Sequence, residues 1–140
     1  MKINAYLNFN GQCDAAFAFY EKCLDGKIAF KLTFGESPMA KDMPKECHNQ
    51  IIHARLVVGD NVFMGSDCPE GRYEKPQGFH VSIGIETPAD AERIFKALSE
   101  NGTVTMPIAE TFWAQRFGML VDQFGIPWMI NCEKVCELEK

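Results

Sequence analysis

The sequence predicts an α+β fold made of two βαβββ modules whose strands form a curved mixed sheet around a cleft. The first observation is a hairpin pattern in residues 112–131, in which two apolar runs flank a turn at residues 122–125. The second is that an alternating segment leads into a segment of helical period twice, in residues 2–24 and again in residues 78–100. The third is that strand-like segments follow both helical segments. We therefore expect one domain, residues 1–140, built from two similar halves.

The first half opens with an alternating strand whose apolar face includes Leu7 and Phe9. A segment of helical period follows and ends at Gly26, a suitable C-terminal cap. Its expected buried face holds Ala16, Phe19, Tyr20, Cys23 and Leu24. The predicted elements of this half are a strand at 2–8, a helix at 12–24, a strand at 27–34, a surface loop at 35–49, and strands at 50–58 and 62–65.

The second half repeats this order after a polar connector. Thr87 and Pro88 favour a helix start there, as N-cap and first helical residue, and Asp90 favours the positive end of the helix dipole. The predicted elements are a strand at 78–85, a helix at 88–100, and strands at 103–108, 116–121 and 126–132. The expected organisation is module one at about 1–66, a connector at 67–77, module two at about 78–133 and a charged tail at 134–140.

The internal repeat is visible in the residues themselves. A shift of 76 residues places Asp14 on Asp90 and Gly26 on Gly102. A different shift, 65 residues, places Met64 on Met129, because the loop after the second strand is longer in the first half. Each half would bury one sheet face under its helix, and the opposite faces are expected to line a cleft.

The composition is that of an ordinary globular domain, with 46% hydrophobic and 24% charged residues in 140. The net charge of −5 argues against a nucleic-acid partner, because phosphate contacts need clustered Lys and Arg. No apolar run approaches the ~20 residues of a membrane span, and the N-terminus lacks a signal-peptide pattern. The prediction is a cytoplasmic protein with neither a nucleic-acid nor a membrane partner.

The cysteines are interpreted as reduced thiols, because thiols stay reduced in the cytoplasm and two of them lie in a helical pattern as small apolar residues. No C-x-x-C pair is present, which removes the usual spacing of a zinc knuckle. A metal cluster of Cys47, His48, His53 and Cys68 is the alternative. The six cysteines are Cys13, Cys23, Cys47, Cys68, Cys132 and Cys136.

Three stretches carry a resemblance to known proteins: YLNFNG near the start, IIHARLVVGDNVFMGSD in the middle and TFWAQRFGMLVDQFGIPWMIN near the end. They resemble the vicinal oxygen chelate (glyoxalase/bleomycin resistance/dioxygenase) superfamily, and within it the PhnB-like branch. The resemblance implies the glyoxalase/bleomycin resistance fold, a small-molecule ligand and a homodimer. That branch also carries a 3-demethylubiquinone 3-methyltransferase-like label, but the chain lacks the parallel α/β pattern with a cofactor cleft that methyl transfer usually needs.

The resemblance also implies four cleft-facing positions that hold a metal in metal-binding members. They fall on Asn4, Met64, His80 and Met129, and His80 alone is of a residue type found there in metal-binding members. Divalent ions prefer carboxylate oxygens and imidazole nitrogens, whereas thioethers suit soft ions. We therefore expect no metal and no cofactor, with the two methionines lining the cleft as apolar side chains.

Further cleft candidates come from residue chemistry. His53 and Arg55 share one strand face, and Trp113 with Arg116 flanks the final hairpin, where an Arg beside aromatic rings can hold an anion. Arg116 may instead pair structurally with Asp122 or Glu110, and Asp67 either caps a loop or faces a ligand. The predicted cleft set is Asn4, Tyr6, His53, Met64, Asp67, His80, Trp113, Arg116 and Met129.

Two functions are consistent with these residues. The first is a protein that binds a small organic molecule in an apolar, methionine-lined cleft without a conventional divalent metal. The second is a metal-dependent lyase or isomerase of the glyoxalase type that uses His80 as its catalytic residue, since His titrates near neutral pH. No nucleophile motif and no glycine-rich phosphate loop is present to favour another enzyme class.

Overall fold

The computed structural model of the chain describes residues 1–69 and 71–134 and divides it into two compact units. Unit 1 is Met1–Lys75 and unit 2 is Pro76–Lys140. The predicted charged tail, apart from Lys134, and Cys136 lie outside the described residues. The elements are β1 Tyr6–Phe9, α1 Cys13–Cys23, β2 Lys27–Thr33, β3 Ile51–Val58, β4 Asn61–Asp67, β5 Val81–Gly84, α2 Pro88–Ser99, β6 Thr103–Ala109, β7 Ala114–Val121 and β8 Pro127–Glu133.

Each unit has the order βαβββ and one four-stranded mixed sheet, so the prediction of an α+β fold with two such modules is confirmed. In unit 1 the strands lie in the order β1-β4-β3-β2, and in unit 2 in the equivalent order β5-β8-β7-β6. The first strand of each unit runs parallel to the last, and the other neighbours are antiparallel.

The two repeat shifts agree with the strand pairing. Met64 pairs with Tyr6, and Met129 pairs with Ser82, which stands 76 residues after Tyr6. The helices are displaced by one residue from this shift. The matching buried residues are Ala16, Tyr20 and Cys23 of α1 and Ala91, Phe95 and Leu98 of α2.

The core of unit 1 lies between α1 and its sheet. Phe17 of α1 packs edge-on against Phe9 and Phe63, with ring centroids 6.1 and 5.6 Å apart. Phe17 was not among the predicted core residues, whereas Phe19 and Leu24, which were, are only partly buried. The difference arises because the helix turns its Ala16–Phe17–Tyr20 stripe toward the sheet, and this stripe is rotated from the predicted one.

The 35–49 segment is not an unstructured loop, as the sequence suggested. It contains short 3-10 turns at Ala40–Asp42 and Lys45–Cys47. His48 holds the two turns together, because its Nε2 lies 2.8 Å from the carbonyl oxygen of Ala40 and 3.1 Å from that of Met43.

Candidate functional site

Each sheet has one face covered by its helix and one face that points away from it, which we call the open face. In unit 1 a Cβ on Gly65 would lie 2.8 Å from the Phe17 ring, so Gly65 faces the helix and its neighbour Met64 lies on the open face. In unit 2 a Cβ on Gly118 would lie 2.6 Å from Phe95, which places Met119 on the open face. The candidate site residues are sorted by this distinction.

Three rings lie side by side on the open face of unit 1. The ring of Tyr6 stacks on that of His53, with centroids 5.7 Å apart and an interplanar angle of 26°. The Tyr6 hydroxyl and His53 Nδ1 are hydrogen-bonded at 3.1 Å. On the other strand neighbour of β3, Phe30 lies 5.8 Å from the His53 ring. Tyr6 and His53, two of the predicted cleft residues, are therefore brought into direct contact.

The same face carries a row of registered residues that crosses all four strands of unit 1. Phe30 pairs with Arg55, Arg55 with Met64, and Met64 with Tyr6. Tyr6, Phe30 and Arg55 are exposed, and Met64 is partly buried. One cation is thus set among aromatic and thioether side chains.

The equivalent row of unit 2 consists mostly of methionines. Met106 pairs with Met119, Met119 with Met129, and Met129 with Ser82. Met106 is 40% exposed, and Met119 and Met129 are partly buried, so all three thioethers are in reach of a ligand. We call these three residues the methionine row. It is apolar and deformable, which suits an organic molecule of irregular shape.

Aromatic side chains extend this surface of unit 2. Trp113 packs edge-on against Phe117 with centroids 5.2 Å apart, and Phe112 packs against Trp113 at 4.7 Å. Phe117 and Met119 alternate on β7 and share the open face. Trp113 is 41% exposed and Phe112 is 89% exposed, so large apolar area remains accessible here.

The two remaining metal-type positions, Asn4 and His80, are both exposed and lie just outside the strands. Asn4 Nδ2 donates to the carbonyl of Val62 at 2.8 Å, and His80 immediately precedes β5. The strand register pairs Met64 and Met129 with Tyr6 and Ser82, two residues further along. Within 1–69 and 71–134, no group of three or more His, Cys, Asp or Glu is arranged to hold a metal.

Asp67 does not lie on the open face with the other predicted cleft residues. It is 2% exposed, and its oxygens accept hydrogen bonds from the backbone N–H of Cys13 at 2.9 Å and of Ile51 at 2.8 Å. Burial, and after it the Asp67 carboxylate, raises the pKa of the Cys13 thiol. Asp67 therefore anchors the start of α1 instead of facing a ligand.

Arg116 also lies on the helix-covered side. Its Nε donates to Glu92 of α2 at 2.9 Å, and a terminal nitrogen donates to the carbonyl of Gln115 at 2.6 Å. Its carboxylate partner is thus Glu92 and neither Asp122 nor Glu110. An arginine engaged in this way ties α2 to its sheet, because helix and strand each hold one partner.

Several open-face residues were missed by reasoning from the sequence, chiefly Phe30, Met106, Met119 and Phe117. A signal for them existed. Once Met64 and Met129 are placed on a face, the hairpin turns place Arg55 and Met119 opposite them, and the 76-residue shift then relates Phe30 to Met106.

The chain matches a family model described as the Glyoxalase/Bleomycin resistance protein/Dioxygenase superfamily over residues 2–130. It is 34% identical to Protein YjdN of Escherichia coli (strain K12) over 143 residues, which span 96% of this chain and 97% of YjdN. The resemblance inferred from the three sequence motifs is therefore confirmed.

Solved structures agree with the family match. Protein PA1353 from Pseudomonas aeruginosa is 45% identical, with a TM-score of 0.87 over 95% of this chain and 98% of that chain. A PhnB protein from Bacillus cereus is 23% identical, with a TM-score of 0.79 over 94% of this chain and 99% of that chain, which is a likeness of fold. The helices of the described part are also too short or too polar to cross a bilayer.

Proposed function

We propose that this chain, which belongs to the glyoxalase/bleomycin resistance protein/dioxygenase superfamily, binds a small organic molecule on the open faces of its sheets, without a conventional divalent metal. The observation that carries the proposal is the methionine row Met106–Met119–Met129. Unbranched thioether side chains adapt to the shape of an apolar ligand, and binding sites for organic molecules are mostly apolar with a few placed polar groups.

The donor chemistry at the four metal-type positions supports the metal-free part of the proposal. Asn4 supplies an amide that is already donating to Val62, and Met64 and Met129 supply thioethers. His80 alone is a good ligand for a borderline ion such as Zn²⁺. One imidazole and no carboxylate leave the charge of a divalent cation uncompensated, so these residues do not fit such an ion.

The proposal is tested by NMR on protein labelled with ¹³C in the methionine methyl groups. The chain has seven methionines. Met64 and the methionine row report on the open faces, and Met39 and Met43, in the segment between β2 and β3, serve as internal controls. In a screen of apolar and aromatic fragments, we expect methyl shifts at the open-face methionines and none at Met39 or Met43. Absence of fragment binding, or equal shifts at all methionines, would contradict the proposal.

The identity of a natural ligand is approached by native mass spectrometry of the purified full chain. A bound organic molecule of defined mass that is lost on substituting Met119 by Gln would support binding at the methionine row. As a matched control, Met39→Gln places the same side chain at another exposed methionine and should leave the bound mass unchanged.

A metal-dependent lyase or isomerase of the glyoxalase type is the second candidate, and the exposed His80 at the start of β5 favours it. Isothermal titration with Mn²⁺, Ni²⁺ and Zn²⁺ separates the two. The metal-free proposal expects no stoichiometric binding tighter than about 1 μM. Tight binding that disappears in His80→Gln would favour the enzyme instead.

We further infer that the chain forms a homodimer in the cytoplasm. Members of the superfamily commonly form dimers, and the thiol-rich sequence suits a reducing compartment. Analytical ultracentrifugation at micromolar concentration tests the assembly, and a single monomeric species would contradict it.

A further inference from the structure

We propose that the open face of unit 1 recognises the planar carboxylate end of an aromatic ligand. The inference rests on the proposed function, because it names the chemical class of the small molecule bound there. It is carried by the contact between the Tyr6 and His53 rings together with the arginine one rung away, Arg55, whose strand neighbours are Phe30 and Met64.

The first element is a row of ring surfaces. His53 is flanked by Tyr6, stacked at 5.7 Å, and by Phe30, tilted at 5.8 Å. Tyr6 and Phe30 are each 43% exposed, so ring surface remains available to a ligand. Flat π-systems pack on such rings in offset or edge-to-face arrangements with a gain beyond area burial. A saturated ring of the same size would lack this gain.

The second element is directed hydrogen bonding from His53. When the Tyr6 hydroxyl donates to His53 Nδ1, the neutral imidazole carries its proton on Nε2. No described residue is hydrogen-bonded to that second ring nitrogen. The Tyr6 contact thereby selects a tautomer in which His53 offers an N–H to an oxygen of the ligand.

The third element is charge. The protein carries a net charge of −5, yet the side chains that cross the centre of this face include a guanidinium and no carboxylate. Arg55 is exposed and has no ion-pair partner among the described residues. Its planar fork matches a carboxylate geometrically, and it stacks on aromatic surfaces. The central face residues are Tyr6, Asn8, Phe30, Leu32, His53, Arg55, Met64 and Ser66.

The probe is benzoate, with two comparators that each remove one feature. Cyclohexanecarboxylate keeps the charge without the flat ring, and benzamide keeps the flat ring without the charge. Dissociation constants are read from the Met64 methyl shift in the full-length labelled protein. We expect benzoate to bind at least about fivefold more tightly than either comparator, since stacking and charge-assisted hydrogen bonds act together.

Three variants identify the residues responsible. Arg55→Gln should weaken benzoate about tenfold and remove its advantage over benzamide. Tyr6→Phe keeps the ring and removes the hydroxyl, so benzoate should weaken a fewfold while its advantage over cyclohexanecarboxylate persists. Arg72→Gln, which removes the same charge from the exposed segment after β4, should leave all three constants unchanged.

The outcomes distinguish this inference from the proposed function. Equal affinity for benzoate and benzamide, or an Arg72→Gln effect as large as that of Arg55→Gln, overturns the inference. So does absence of benzoate binding while other fragments still shift the methionine row, and in that case the proposed function stands. If the Met64 signal changes with protein concentration and Arg55→Gln abolishes that change, the face binds a second copy and the inference is overturned.

Discussion

The carboxylate of Asp122 accepts a hydrogen bond of 2.8 Å from the indole Nε1 of Trp128, and both residues are buried. The other oxygen of Asp122 accepts from the backbone N–H of Phe124 at 2.8 Å and of Ile126 at 3.1 Å. One side chain thus closes the turn between β7 and β8 and fixes the largest residue of the unit 2 core. The turn and the core are therefore energetically coupled through Asp122.

Asp122→Ala should lower the free energy of unfolding by about 3 kcal/mol, because it leaves buried N–H donors without an acceptor. Urea denaturation followed by tryptophan fluorescence measures the change. Asp60→Ala, at an exposed turn aspartate of unit 1, should alter stability by less than about 0.5 kcal/mol. Equal effects of the two substitutions would show that the buried hydrogen bonds contribute nothing.

The two helices should respond differently to loss of their N-terminal partners. α2 is capped locally, since Thr87 Oγ1 accepts from the N–H of Asp90 at 3.2 Å. Gln12 makes no side-chain cap for α1, and Asp67 of β4 instead accepts from the N–H of Cys13. We expect Thr87→Ala to cost about 1 kcal/mol.

Asp67→Ala should cost more, about 2–3 kcal/mol, because it removes a buried acceptor shared by a helix and a strand. Thermal and urea unfolding of both variants test this order. The reverse order, with Thr87→Ala the more harmful, would contradict the role assigned to Asp67.

Gly65 should not tolerate a methyl group. A Cβ there would lie 2.8 Å from the Phe17 ring and 2.9 Å from the carbonyl oxygen of Leu7. Gly65→Ala is expected to cost about 1–3 kcal/mol through overpacking between α1 and its sheet. Gly84→Ala is the matched control, because a Cβ at Gly84 meets nothing within 4 Å. Circular dichroism melting curves should separate the two variants, and similar melting temperatures would refute the close approach.

Cys13 should resist alkylation in the folded protein. Burial, followed by the Asp67 carboxylate, raises the pKa of its thiol, so little thiolate exists at pH 8. Iodoacetamide followed by peptide mass spectrometry should label the partly buried Cys47 before Cys13, and label both equally in urea. Rapid labelling of Cys13 without denaturant would contradict the burial of this thiol.

The same raised pKa predicts a fall in stability at alkaline pH. In the unfolded chain Cys13 loses its proton above its ordinary pKa of about 8.5, whereas the folded protein retains it. The unfolded state then binds fewer protons, so the free energy of unfolding decreases as pH rises through this range. Cys13→Ala should show a shallower decrease between pH 8 and pH 10 in urea titrations, and an unchanged slope would contradict the assignment.

Local signals in the sequence were sufficient for the elements themselves. The α2 start follows from Thr87 and Pro88, and the final turn from Asp122 and Gly125, whose φ of +91° suits glycine. Interactions of this kind join residues within about four positions, so a short stretch of sequence contains both partners. The repeated βαβββ order could be predicted for the same reason.

Which side chains share a face was decided by the tertiary structure. Asp67 and Met64 lie three residues apart on β4, yet one faces α1 and the other the open face. Since side chains alternate along a strand, a one-residue change in register exchanges the two faces, and the register depends on neighbouring strands. Assignment of Asp67 to the cleft therefore required information that its own segment does not contain.

The sequence by itself determined the fold class, the repeated order and the family, and it located Tyr6, His53, Met64 and Met129 as candidates. The tertiary structure decided that Tyr6 contacts His53, that Arg116 pairs with Glu92, and that α1 is capped from β4. These contacts join residues 47, 24 and 54 positions apart. Contacts over such distances along the chain depend on the packing of whole elements, because no local preference of either partner selects the other.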